Sequence, residues 1–170
     1  MQGHARPIGT RMSRPLQGVT PMEIAMSREI TSLRNLIAAL DDARLFYRNV
    51  DDRIAHPCFR RALQRADEIH LAIAADLSDC VAERGGAATR TGTLLGRLRA
   101  RRARWLARAS FDIEAGYAIQ TKKCETRVLR RFRTTIERTH DAALGKRLDG
   151  CRRMLEHSCR EFGRIEFVLE

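Results

Sequence analysis

Apolar side chains recur along this chain in alternating steps of four and three. Between residues 57 and 84 the positions Phe59, Leu63, Ala66, His70, Ile73, Leu77 and Cys80 form one such seam. That spacing keeps every member on one face of an α-helix and is the signature of a helix packed in a bundle. A second seam predicts a helix over 142–169: Leu144, Leu148, Cys151, Leu155, Ser158, Phe162, Ile165 and Leu169. Ile30, Leu33, Leu36, Ile37, Leu40, Ala43 and Tyr47 predict a helix over 27–50, with Ser27 as its N-cap. A longer helix over 97–140 follows from two joined stripes. The first is Leu106, Ala109, Ile113, Tyr117, Gln120 and Cys124; the second is Glu125, Val128, Leu129, Phe132 and Ile136.

The breaks between these stretches have local causes. His56 precedes Pro57 and is pushed out of helical geometry. Gly85 and Gly86 end the second helix as a C-cap. Residues 87–96 read as a loop, and the longest connection joins the second and third helices. No alternating strand pattern appears. The expected fold is all-α: an antiparallel four-helix bundle. Residues 1–22 hold three of the four prolines and no periodic apolar pattern. A flexible basic tail is therefore expected over 1–26, with a single bundle domain over 27–170.

Charge changes the picture. The chain carries a formal net charge of +11, which favours an acidic partner such as nucleic acid, anionic lipid or an acidic protein. No apolar run approaches the ~20 residues that span a bilayer, and the basic stretch at 97–108 is not strongly apolar on its other side, so no membrane partner is expected. The five cysteines (Cys58, Cys80, Cys124, Cys151 and Cys159) are odd in number and include no CxxC. They read as small buried hydrophobes in a reducing compartment, which points to the cytoplasm. Cys124, with Lys122 and Lys123 nearby, would be reactive if Lys123 favoured its thiolate; its place on a stripe argues for a core thiol instead.

Four stretches carry a family resemblance. They are LRNLIAALDDARLFY (33–47), PCF (57–59), DLSDCVAERGG (76–86) and GTLLG (92–96) leading to Arg104–Trp105. In this order and spacing the chain resembles a proteobacterial four-helix-bundle family of the ferritin-like superfamily, known as a domain of unknown function. The resemblance covers about residues 29–169. It implies a ferritin-like bundle and brings no activity with it.

Ferritin-like di-iron bundles place a Glu on each of two helices and a Glu-x-x-His on each of the other two. Such hard donors suit iron or manganese. Asp67-x-x-His70 offers one i, i+3 pair, and Glu125 stands on the apolar stripe of the third helix. Asp41 is at the border of the first helix's stripe. These four are the candidate metal ligands, where about six would be needed. A hydrogen bond between His70 and Glu125 would satisfy both without metal. No cofactor is therefore expected, and iron or manganese is the alternative. Tyr47 and Tyr117 read as packing residues.

The stretch RLRARRARWLAR (97–108) holds Arg97, Arg99, Arg101, Arg102, Arg104 and Arg108 with no acid. Arginines of this kind suit sequence-independent phosphate contacts. The arginines wrap around the helix, with Trp105 and Leu106 giving an apolar edge for docking on the bundle. A second basic run, Arg127, Arg130, Arg131 and Arg133, reads as a solvated face. The expectation is a non-catalytic structural or stress-associated protein, with a homo-oligomer among its expected states. The alternatives are an iron or manganese protein using the four ligands, and a nucleic-acid-binding protein using the 97–108 arginines.

Overall fold

A computed structural model describes residues 21–49, 54–87 and 112–169, with single positions 98, 101, 105 and 106 between them; side chains are described through residue 162. The four main helices are α1 (Pro21–Arg48), α2 (Pro57–Glu83), α3 (Ile113–Arg138) and α4 (Ala142–Leu169). No strand occurs among the described residues.

The ends of these helices follow local chemistry. α1 starts six residues before the expected Ser27 cap. Pro21 takes its first position, where the fixed proline φ suits a helix and the missing N–H is not needed. Ser27 lies inside the helix, and its carbonyl accepts a hydrogen bond from Thr31 Oγ1 at 2.8 Å. α2 likewise starts on a proline and stops where Gly85 adopts φ 72°, with Gly86 N–H donating back to the Val81 carbonyl at 2.9 Å. A Cβ on Gly86 would fall 2.8 Å from Val81 Cγ1, so the second glycine is needed for space.

The third helix differs from expectation. It begins at Ile113 and not near residue 97. Asp112 is extended (φ −109°, ψ 115°), and its carboxylate accepts from the N–H groups of Glu114 at 2.8 Å and Ala115 at 3.1 Å. Those are orphan donors of a helix start, so a capped N-terminus separates α3 from the arginine-rich stretch. Asp141 caps α4 in the same way through Ala143 and Leu144.

Each helix packs on two others: α1 on α2 and α3, α4 on α2 and α3. Side-chain pairs give the directions. Arg44 meets Asp67 across α1 and α2, and Arg34 reaches the Ala87 carbonyl past the end of α2. Arg131 reaches the Asn35 carbonyl, and Tyr47 meets Glu125, across α1 and α3. Arg147 pairs with Asp76 and Arg65 with Glu161 across α2 and α4. Arg133 pairs with Glu156, and Cys159 meets Glu125, across α3 and α4. Every neighbouring pair is therefore antiparallel. α2 and α3 lie on a diagonal and run parallel. The end of α2 and the start of α3 therefore lie at opposite ends of the bundle.

The core follows the predicted seams. All seven α2 seam positions are buried, including His70. On α4, Leu144, Leu148, Cys151, Leu155, Ser158 and Phe162 are buried; the side chains of Ile165 and Leu169 lie outside the described residues. Phe46, absent from the predicted α1 stripe, is also fully buried and packs 5.8 Å from Tyr117, ring centre to ring centre.

Candidate functional site

One layer of this core is polar. Tyr47 of α1, His70 of α2 and Cys159 of α4 all converge on the carboxylate of Glu125 of α3. Each helix supplies one side chain. Tyr47 Oη donates to Glu125 Oε1 at 2.6 Å. His70 Nε2 lies 3.1 Å from Oε1 and 3.3 Å from Oε2. Cys159 Sγ donates to Oε2 at 3.5 Å. A carboxylate offers only acceptors, so Nε2 carries the hydrogen of the His70 contact when Glu125 is ionised. The Tyr47 ring meets the His70 ring edge-on at 5.4 Å and 74°. His70 is completely buried and Glu125 is 2% exposed, so neither group reaches bulk water.

The electrostatics follow from that geometry. Burial alone raises the pKa of the Glu125 carboxyl. The attraction of His70, with hydrogen bonds from His70, Tyr47 and Cys159, outweighs burial and holds it below its ordinary value. The partners respond oppositely. Burial and the adjacent Glu125 charge push the Tyr47 phenol and the Cys159 thiol well upward. The result is one buried anion held by donors that keep their protons. A cavity of about 200 Å³ between α3 and α4 borders the cluster, with Glu125, Cys159, Lys122 and Phe162 in its wall. His70 Nδ1 has no hydrogen-bond partner, nor do the buried hydroxyls of Tyr117 and Thr121.

The four nominated ligands divide into two pairs. His70 and Glu125 meet, as their hydrogen-bond reading required. Asp67 turns toward α1, where it accepts from Arg44 Nε and Arg48 Nε, each at 2.9 Å. Asp41 lies 3.3 Å from the same Arg44. The two aspartates thus flank an arginine and do not complete a set around His70. Among the described residues no group of three or more His, Cys, Asp or Glu side chains is arranged to hold a metal ion. The donor set at hand does not fit the six-ligand di-metal centre of a ferritin-like bundle.

Tyr47 and Cys159 belong to the site, yet the sequence placed them elsewhere: Tyr47 as packing and Cys159 among the core thiols. A tyrosine on a core stripe needs a partner for its hydroxyl, and that was the available signal for Tyr47. Cys159 follows buried Ser158 on α4 and carried none. Cys124 is not activated. Burial, only partly offset by Arg127, raises its thiol to about 11.

Within 97–108 only Leu98, Arg101, Trp105 and Leu106 are described, all helical and exposed. Arg97, Arg99, Arg102, Arg104 and Arg108 lie outside the described residues. Trp105 is 68% exposed and Leu106 40%, so the edge expected to dock on the bundle does not. The stretch ends before the Asp112 cap and so lacks the continuous α3 helix that would have carried those side chains onto the core. Among the described residues, no helix is long and apolar enough to cross a membrane.

The model of a family described as a domain of unknown function (DUF2383) matches residues 28–138, which hold most of α1 and all of α2 and α3. No curated protein and no solved structure matches the chain.

Proposed function

The chain belongs to the DUF2383 family, a domain of unknown function, and from that premise we propose that it is a non-catalytic structural bundle of ferritin-like type. The ferritin-like part is supported by topology. Ferritin-like four-helix bundles carry one long crossover connection, and the end of α2 and the start of α3 lie at opposite ends of the bundle, as such a connection requires. The stress-associated part rests on analogy with bundles of that type. The five free cysteines support a reducing, cytoplasmic setting.

The observation that carries the non-catalytic reading is the saturation of Glu125. Tyr47, His70 and Cys159 occupy both of its oxygens from three other helices. In a di-metal bundle that carboxylate would face metal. Here it joins four helices through one shared anion, a role that fixes their register.

Metal analysis of the full chain, purified from iron- or manganese-supplemented culture, tests this reading. The expected result is sub-stoichiometric metal, unchanged in His70→Ala and in Glu125→Gln. Near-stoichiometric iron or manganese that is lost in either variant would overturn it in favour of a metal-binding bundle. Glu125→Gln preserves shape and keeps the test informative where His70→Ala fails to fold.

A further inference from the structure

The α1–α3 face carries a groove of about 540 Å³ lined by Arg127, Arg130, Arg131 and Arg138 of α3 and by Ser32 and Asn35 of α1. We infer that this groove binds the phosphate backbone of a nucleic acid. No aspartate or glutamate lines it. The sequence alone treated this basic run as a solvated face, and the packing divides it. Arg133 turns to α4 and pairs with Glu156. The other three join Arg138 along the α1 side.

Three observations support a ligand there. First, the charge of the lining is of one sign. Around α2 and α4, by contrast, Arg84 pairs with Asp141, Arg147 with Asp76, Arg152 with Glu156 and Arg153 with Asp149. Four arginines stand in the lining with no carboxylate among them. Second, the arginines form a row. Positions 127, 130, 131 and 138 share one helical face, and eleven residues rise about 16 Å. That length matches about five phosphates of one strand and exceeds what a single phosphate could engage. Third, the groove is built on two helices. Arg131 Nη1 donates to the Asn35 carbonyl at 3.1 Å, which anchors one guanidinium across it.

The chemistry of the lining selects the ligand class. Guanidinium forks match phosphate oxygens in pairs, and hydroxyl and amide side chains add neutral donors of the kind used on backbones. No aromatic ring lines the groove, so no base-stacking platform is present there. The binding is sequence-independent. This site is distinct from the 97–108 arginines, and it does not depend on the Glu125 cluster.

The test is fluorescence anisotropy of the full chain with a labelled DNA duplex over a salt series. The variant Arg130→Gln/Arg138→Gln is compared with Arg65→Gln/Arg153→Gln, which removes the same charge from α2 and α4. The groove variant is expected to make the log–log salt slope shallower by about two, one per lost phosphate contact. The control is expected to leave it unchanged within the effect of overall charge. Arg127→Gln/Arg130→Gln repeats the reading where the first pair alters the thermal melt. Equal slopes for groove and control variants would overturn the inference, as would no binding at low salt. Inorganic triphosphate or a poly-glutamate peptide competing as well as an unlabelled duplex would overturn the assignment to a nucleic-acid backbone.

Discussion

Tyr47 donates its phenolic hydrogen to Glu125 Oε1 at 2.6 Å, joining α1 to α3 inside the one polar layer of the core. A hydrogen bond to a charged acceptor contributes more than a neutral one, on the order of 1.5–3 kcal/mol. Tyr47→Phe keeps the ring and its edge-on contact with His70 and removes only this donor. The variant is expected to lose about that much stability in a urea titration, with an unchanged m-value. A loss below about 0.5 kcal/mol would mean that water entering from the neighbouring cavity replaces the hydroxyl.

The same carboxylate makes stability depend on pH, with a definite sign. Its folded-state pKa lies below the ordinary value near 4.5, which the unfolded chain retains. The contribution of Glu125 is therefore fully present above about pH 4.5 and is lost as pH falls through the folded value. Glu125→Gln removes that dependence. The stability difference between wild type and variant is expected to narrow as pH falls below about 4.5. Paired urea titrations at pH 5 and 3.5 measure it, and a gap that widens between them would contradict the assignment.

The thiols should divide sharply. Cys58 is exposed, whereas burial raises Cys124 to about 11 and Cys151 to about 12 and also lifts Cys80 and Cys159. Only the thiolate attacks a disulfide reagent. At pH 8 the native chain is expected to release one fast equivalent of thionitrobenzoate from Ellman's reagent, and Cys58→Ser none. All remaining thiols should react after unfolding in guanidinium. A second fast equivalent that disappears in Cys124→Ser would show that Cys124 is activated after all.

Much of this was legible in the sequence, and the division has a physical basis. The α2 seam was read correctly at every position because a helix buried along one stripe imposes a strict period. His70 and Glu125 stood out because each interrupts an apolar stripe. What a single-helix pattern lacks is register between helices. It could not show that Tyr47 and Cys159 reach the height of Glu125, or that Arg44 and Arg48, one turn apart on α1, draw Asp67 away from His70. Nor could it separate Arg133 from its neighbours, since the two sides of α3 are distinguished only by which helix packs there.

The start of α3 was misread for a reason that can be tested. Apolar residues at 106, 109 and 113 continue the stripe backward, so periodicity alone runs the helix through Asp112. The side chain of Asp112 settles the matter locally by accepting from Glu114 N–H and Ala115 N–H. Replacing such a cap with alanine costs about 1 kcal/mol and up to about 2. Asp112→Asn keeps the acceptor and should lose little. Alanine has the higher helix propensity, so Asp112→Ala removes the cap and at the same time favours extension of α3 toward residue 106. The expected outcome is a loss of about 1 kcal/mol of unfolding free energy by urea titration for alanine, with faster amide exchange at Glu114 and Ala115 and none of this in Asp112→Asn. An alanine variant as stable as wild type, with slowed exchange before residue 112, would show that the continuous helix read from the sequence is within reach of this chain.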